Sequence, residues 1–385
     1  MTKLTSDWIA RAETQAVCRM LTDAGAQALF VGGCVRNAFL EAPVADIDIA
    51  TDALPEQVVV LAEKAGLKAV PTGIDHGTVT VVSGGLPHEV TTFRRDVETD
   101  GRRAVVAFST DVAEDAARRD FTMNALYANP EGEVIDPLGG LPDLQARHVR
   151  FIGRAEDRIR EDHLRSLRFF RFHAWYGDPL HGMDADALAA IAEHLEGLAI
   201  LSKERIGHEV MKLLAAPDPA PAVASMRQTG VLQAILPGAD DTALGPLVHL
   251  WPEANATLRL AALGRGFDEA LRLSKADARR AEALRHAAEE GTPAELGYRM
   301  GAEDACAALA LRAALLQQPL EDSDLEVARH AATQVFPVKA GDLMPDFEGP
   351  ALGAALKDLE GAWIASGFAL TRDDLLAKAE DHKKG

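Results

Sequence analysis

Two aspartates one residue apart, Asp46 and Asp48, stand in a run that alternates acid with isoleucine. On a strand, side chains two apart share a face, so the pattern presents two carboxylates side by side and turns Ile47 and Ile49 into a core. Like charges this close repel, and a cation between them removes the repulsion. Magnesium favours such oxygens and keeps positions open for substrate phosphates. A pair of ions held this way activates an attacking hydroxyl and stabilises a departing pyrophosphate. Taken alone, Asp-x-Asp is equally well explained as the acidic solvent face of an edge strand. Upstream, however, Gly32 and Gly33 form a turn whose backbone N–H groups can approach phosphate, followed by a helix start and Arg36. Glu89, opening an apolar strand-like run, is a candidate third acid, although a lone glutamate there also suits a solvent-facing position.

A second polar cluster, Arg-Arg-Asp at 118–120, abuts an apolar run. The guanidinium of Arg119 matches phosphate geometry and can clamp a triphosphate, and Asn124 can contact a sugar or orient Arg119. A capped helix with surface arginines accounts for either residue taken separately.

These groups need a scaffold. The pattern predicts a helix over 7–24, a strand over 28–31, a helix over 34–40, a strand over 46–50 and a helix over 54–65. Further strands are expected at 67–70, 78–83 and 89–93, with Gly84 and Gly85 as a hairpin turn. From residue 154 the strand pattern stops. Helices are expected at 156–176, 185–198, 203–215 and 221–230, with apolar, Ala- and Leu-rich stretches to the end. The expected fold class is α+β: an N-terminal α/β head with a small mixed sheet over 1–137, then all-helical segments over 138–215 and 216–385. No fixed-period repeat is evident.

At 385 residues, two or three domains are expected. The longest apolar runs, 58–62 and 104–108, are far short of the ~20 residues that span a bilayer, and residues 1–11 lack the apolar core of a signal peptide. Cys18, Cys34 and Cys306 are scattered and form no CxxC pair, which argues against a disulfide framework or thiolate zinc site and suits a reducing cytoplasm. The net charge of −19 points away from nucleic acid. Its distribution points back: between Arg147 and Arg171 eight arginines face four acids, a local +4.

Gly-Gly-x-Val-Arg (32–36), Asp-x-Asp-x-x-Thr (46–51), Arg-Arg-Asp-Phe-Thr-x-Asn-Ala (118–125) and Glu-Asp-x-x-Arg-x-x-Arg-x-x-Arg-Phe (161–172) occur in series. Together with Glu-Arg-x-x-x-Glu (204–209), this set resembles the class II tRNA nucleotidyltransferase and bacterial poly(A) polymerase family over residues 28–219. The resemblance implies a head, neck, body and tail architecture and two magnesium ions at Asp46 and Asp48. It implies nucleotide contacts from Gly32, Gly33, Arg36 and Arg119, with Asp162, Arg165, Arg168 and Arg171 in the nucleotide pocket. CTP and ATP are the implied substrates and the 3′ end of tRNA the implied partner. No membrane or protein partner is expected. One departure is Asn37, where the family's first motif usually has aspartate; the change removes a charge beside Arg36 and is expected to alter how firmly that arginine is held. The Glu204, Arg205 and Glu209 group is expected to support the neck, Arg205 and Glu209 forming a local i,i+4 pair.

Asp162 and Arg165 also admit a physical argument. Three apart on a helix they share a face, which 168 and 171 continue. Cytosine and adenine both present an exocyclic amine beside a ring acceptor, so a carboxylate that accepts and an arginine that donates fit both. Guanine and uracil invert that pattern and leave buried groups unpaired, at about 1–3 kcal/mol per group. An exposed helix face laced with ion pairs is the bland alternative. For the enzyme, the alternatives are a poly(A) polymerase, which shares nearly every motif, and a CC-only or A-only tRNA-adding specialist. The full-length 93–111 segment and the 71–78 stretch favour the CCA-adding type. A non-catalytic RNA-binding protein would be marked by loss of either metal-binding aspartate, and both are present.

Overall fold

The computed structural model describes residues 2–100 and 103–382. The chain divides into two compact units, Met1–Ile235 and Leu236–Gly385. The first is α+β, with a mixed seven-stranded sheet in the order β3-β4-β5-β2-β1-β8-β9. At its centre β1 (Leu29–Val31) runs antiparallel to β2 (Asp48–Thr51). The other edge of β2 pairs in parallel with β5 (Leu86–Thr92), placing Asp48 directly opposite Glu89. Antiparallel pairing continues outward from β5 to β4 (Thr78–Ser83) and β3 (Lys68–Gly73). On the far side of β1 lie β8 (Tyr127–Ala128) and β9 (Val134–Ile135).

Alternation explains β4, where Val79 and Val81 are fully buried and Thr78 and Thr80 beside them are not. The hairpin to β5 turns on Gly84 and Gly85 at φ 56° and 85°, conformations that glycine adopts without strain. Helices Ala12–Thr22 and Pro55–Lys64 pack on each other and on β4, burying Val17 with Leu21 and Val58 with Ala62, each pair four residues apart. A separate hairpin of β6 (Arg94–Asp100) and β7 (Arg103–Phe108) follows β5. The 93–111 segment expected to be full length forms this hairpin, with Gly101 and Arg102 outside the described residues.

Several expected elements differ. The helix expected over 7–24 is two, Asp7–Ala10 and Ala12–Thr22, with Arg11 outside both, and the helix expected over 185–198 ends at Glu193 and is followed by a 3-10 segment, Leu195–Ile200. The strand begins at Asp48 rather than at residue 46, because β1 is only three residues long and pairs with Ile49 and Ala50. Beyond Val31 the chain turns away at Gly32, φ 70°, so Asp46 and Ile47 have no antiparallel neighbour. The helix expected over 156–176 is two helices, Ala155–Glu161 and Leu164–Tyr176. Asp162 between them is extended, at φ −153°, and its Oδ1 accepts from the Leu164 amide at 3.1 Å. An aspartate side chain that competes for backbone N–H groups ends one helix and starts the next.

The Leu164–Tyr176 helix is bound to the sheet region by aromatic rings. Phe121 packs on Phe151 and Phe172 with centroids 4.9 Å apart in each case, and Phe151 stacks on Phe169. It also packs on the Lys203–Leu214 and Ala220–Gln228 helices.

The second unit is helical throughout its described residues. Lys275–Glu289 packs on Ala302–Leu316, and Pro293–Met300 on Asp322–Ala331. Trp363 centres a cluster with Val338, Leu359 and Leu375 near the C-terminus. Arg312 closes the end of Lys275–Glu289 by donating to the carbonyls of Ala287, Ala288, Glu290 and Gly291 at 2.8–2.9 Å. Among the described residues no helix is long and apolar enough to cross a membrane. Cys18, Cys34 and Cys306 are free and buried.

Candidate active site

In the first unit a cavity of about 450 Å³ is lined by Asp48, Glu89, Arg119, Asp162, Arg165 and Arg168, together with Thr78, Thr91, Arg94, Arg118, Asp120 and Arg205. One wall is the acidic end of β2 and β5. Burial pushes the Asp48 carboxyl up from the ordinary 3.8 to about 6, Glu89 and then Asp46 add to the rise, and Arg119 and Arg36 oppose it. The register that sets Asp48 opposite Glu89 creates this charge concentration. Asp46 is exposed just ahead of the strand. Carboxylate oxygens alone make a hard donor set suited to magnesium. Among the described residues no group of three His, Cys, Asp or Glu side chains is gathered closely enough to hold an ion unaided. Magnesium commonly takes one or two carboxylates together with substrate phosphates and water.

The opposing wall is built of arginines, each gripped by a buried acid. Asp115, 1% exposed, accepts from Arg118 Nε at 2.9 Å and from Arg119 Nη2 at 3.0 Å. Burial would raise its carboxyl, but Arg119 and Arg118 outweigh that and hold it at about 2. Asp120 accepts from Arg168 Nε at 2.8 Å and from the Asn124 amide at 2.9 Å. Burial opposes its charge as well, and Arg168 holds it below the usual carboxylate range. Asp115 was not singled out from the sequence, and Asp120 stood in the Arg-Arg-Asp cluster without a role of its own. The signal for Asp115 is its spacing, three and four residues ahead of Arg118 and Arg119 on the Val112–Ala117 helix and its cap.

At the third side, Asp162 Oδ2 accepts from Arg205 Nη2 at 2.7 Å. Arg165 donates to Glu161, to the Arg158 carbonyl at 3.1 Å and to the Arg118 carbonyl at 3.2 Å. Asp162 and Arg165 therefore meet at the cavity, but not as neighbours on one helix face, since Asp162 belongs to the joint between helices. The i,i+4 pairing expected of Arg205 and Glu209 is not what forms. Arg205 takes Asp162, and buried Glu209 accepts from Arg171 Nε at 2.5 Å. The two side chains leave the Lys203–Leu214 helix toward different partners, and tertiary contacts override the local one.

The remaining expected residues stand behind the cavity wall. Arg36 is 7% exposed, with its guanidinium over the Tyr176 ring at 4.0 Å. It donates to Asn124 Oδ1 at 2.6 Å, to Tyr176 Oη at 2.9 Å and to Asn37 Oδ1 at 2.9 and 3.1 Å. Asn37 thus holds Arg36 by two hydrogen bonds without a charge. Burial lowers the Arg36 pKa. Asn124 orients Arg36 rather than Arg119, and Arg171 is committed to Glu209. Gly32 sits beside Arg119, whose Nη1 would lie 3.5 Å from a Cβ added there, and its own amide donates to the Leu126 carbonyl at 3.3 Å. Gly33 opens the helix Gly33–Phe39.

Known proteins resemble this chain in sequence and in fold. Residues 28–150 match the family described as Poly A polymerase head domain, and residues 182–242 match the probable RNA and SrmB-binding site of polymerase A. The CCA-adding enzyme of Lactobacillus delbrueckii subsp. bulgaricus is 43% identical over 222 residues, covering 57% of this chain and 54% of that protein. That of Geobacillus thermodenitrificans is 41% identical over 224 residues, covering 58% and 54%. The match thus spans about half the length of these relatives. The structure of the Bacillus stearothermophilus CCA-adding enzyme in complex with CTP superposes with a TM-score of 0.79 at 30% identity, covering 97% of each chain. The Thermotoga maritima CCA-adding enzyme complexed with tRNA shares the fold, with a TM-score of 0.72 at 19% identity over 98% of this chain and 96% of that one. This chain belongs to the family of class II tRNA nucleotidyltransferases and bacterial poly(A) polymerases.

Proposed function

We propose that this protein adds C and A nucleotides from CTP and ATP to the 3′ end of tRNA without a nucleic-acid template, in the cytoplasm. The observation that carries the reading is a single cavity with a carboxylate wall at Asp48 and Glu89, an arginine wall at Arg118, Arg119 and Arg168, and a polar joint at Asp162 and Arg165. That is one end for phosphate chemistry and one for a base. The relatives' names support the same reading.

Asp46 and Asp48 would hold magnesium, with Glu89 as a third acid facing the same site. When bound, the two ions supply activation of the terminal hydroxyl and charge neutralisation on pyrophosphate. Arg118 and Arg119 bind the triphosphate and orient its α-phosphorus toward the carboxylates. Asp162 accepts from the exocyclic amine of C or A. Arg165 has three of its five donors committed to Glu161 and the Arg158 and Arg118 carbonyls, leaving two to meet a ring nitrogen. Asp120 fixes Arg168, which closes the pocket beside the base. Arg36 and Asn124 act from behind the wall by fixing Asp120 and the Leu164–Tyr176 helix.

The test is extension of a tRNA lacking its last three nucleotides, with magnesium and with CTP, ATP or both. Two additions with CTP and a third only with ATP are expected. Long A-tails on unrelated RNA would favour the poly(A) polymerase reading, which the family match to residues 28–150 keeps in view. No extension under any condition would sink the catalytic reading.

A further inference from the structure

Asp115 does not line the cavity, yet three arginines that do are tied to it. Its Oδ1 accepts from Arg118 Nε at 2.9 Å and from the backbone amide of Arg94, the first residue of β6, at 3.2 Å. Its Oδ2 accepts from Arg119 Nη2 at 3.0 Å and Nε at 3.3 Å. A third donor, the Tyr127 hydroxyl, reaches Oδ2 at 2.7 Å and itself accepts from Arg119 Nε at 3.1 Å. Tyr127 is fully buried in β8, so this clamp is fixed to the sheet and not to a loop. The carboxylate takes the Nε edges of both guanidinium groups, and both arginines line the same cavity as Asp48 and Glu89. An apolar side chain in place of Asp115 alone would leave the buried edges of Arg118 and Arg119 and the Tyr127 hydroxyl without their acceptor, and it would set neither guanidinium plane.

We propose that Asp115 is the positioning residue that sets the triphosphate grip of this site, registering Arg118 and Arg119 together and anchoring Arg94 beside them. The inference rests on the reading that the cavity takes a nucleoside triphosphate. It goes further in predicting that the effect of Asp115 scales with the number of phosphates on the ligand. A group that only stabilised the fold would weaken every ligand alike.

The experiment is calorimetric titration of the full chain with CTP and with CMP in magnesium buffer, for the wild type, Asp115→Asn and Tyr127→Phe. Asp115→Asn is expected to weaken CTP by about tenfold or more, as for loss of a charge-assisted contact, while CMP shifts by less than about twofold. Tyr127→Phe keeps the charge and is expected to weaken CTP by about two- to threefold, again sparing CMP. Equal loss of CTP and CMP, or no loss of CTP, overturns the proposal. Should Asp115→Asn fail to fold, Tyr127→Phe decides by the same criterion. A wild-type chain that binds neither nucleotide overturns the triphosphate reading and this inference with it, whereas wild-type binding with no CTP-selective loss overturns the inference alone.

Discussion

The two units use arginine in opposite ways. In the first, Arg118, Arg119 and Arg168 are each gripped on one edge by a buried acid, Asp115 or Asp120, and line a cavity with the rest of the side chain. In the second, Arg312 sends its donors into the carbonyls at a helix end, and Arg280, Arg299 and Arg372 form pairs with Asp304, Glu295 and Asp342 at the surface. On the proposed function the first arrangement prepares charge for a ligand, whereas the second completes the fold. A chain with net charge −19 can therefore carry a strongly cationic site, because what matters is whether a guanidinium is oriented and left with donors to offer.

The largest change should come from the wall facing those arginines. Asp48→Asn is expected to reduce tRNA extension by about a thousandfold or more, measured under single-turnover conditions. Its effect on stability has the other sign. The folded chain holds the Asp48 proton up to about 6 instead of 3.8, so between those values it binds more protons than the unfolded chain. Stability of the metal-free protein then falls as pH rises through that window. Asp48→Asn should raise the melting temperature at pH 7.5 and do so less at pH 4. A variant that melts lower at pH 7.5 would contradict this.

Next in size is base choice. Asp162→Ala should admit UTP and GTP about 10- to 100-fold more readily relative to CTP, read from competitive incorporation. Unchanged discrimination would move base selection away from the joint.

The C-terminal unit gives the contrast its control. Arg312→Met leaves helix-end carbonyls without their donor and should lower stability by about 1–3 kcal/mol in urea titration, with CTP affinity unchanged. Arg280→Ala should cost under about 1 kcal/mol, since its pairs are surface ones. If either altered CTP affinity, the division between preparing charge and completing the fold would fail.

Much of the site was legible because its chemistry is local in sequence. Asp48 and the Arg118–Arg119 pair each announce themselves within a few residues, and alternation placed Glu89 on a strand, whose pairing beside Asp48 only the structure supplies. The joint at Asp162 was not legible, because helix-forming residues flank it on both sides and only a side-chain hydrogen bond breaks the run. Arg36 was expected among the phosphate and nucleotide contacts; its place behind the wall depends on Tyr176, 140 residues away. Arg205 and Glu209 had the spacing of a local pair, and only the packed Leu164–Tyr176 helix shows that each has a partner elsewhere. The C-terminal unit, with helical periodicity but no motif, was readable as helix and no further.

The break between Ala155–Glu161 and Leu164–Tyr176 has a consequence for how such a pocket changes over time. Each residue of an α-helix turns the chain by about 100°. Had Asp162 and Arg165 shared one continuous helix, any insertion or deletion between them would have swung one of them out of the cavity. Across a two-residue joint, the extended backbone absorbs such a change while both helices keep their packing. Asp162, proposed to meet the base, thereby lies outside the Leu164–Tyr176 helix that packs on the sheet region, and change at the joint need not disturb that packing.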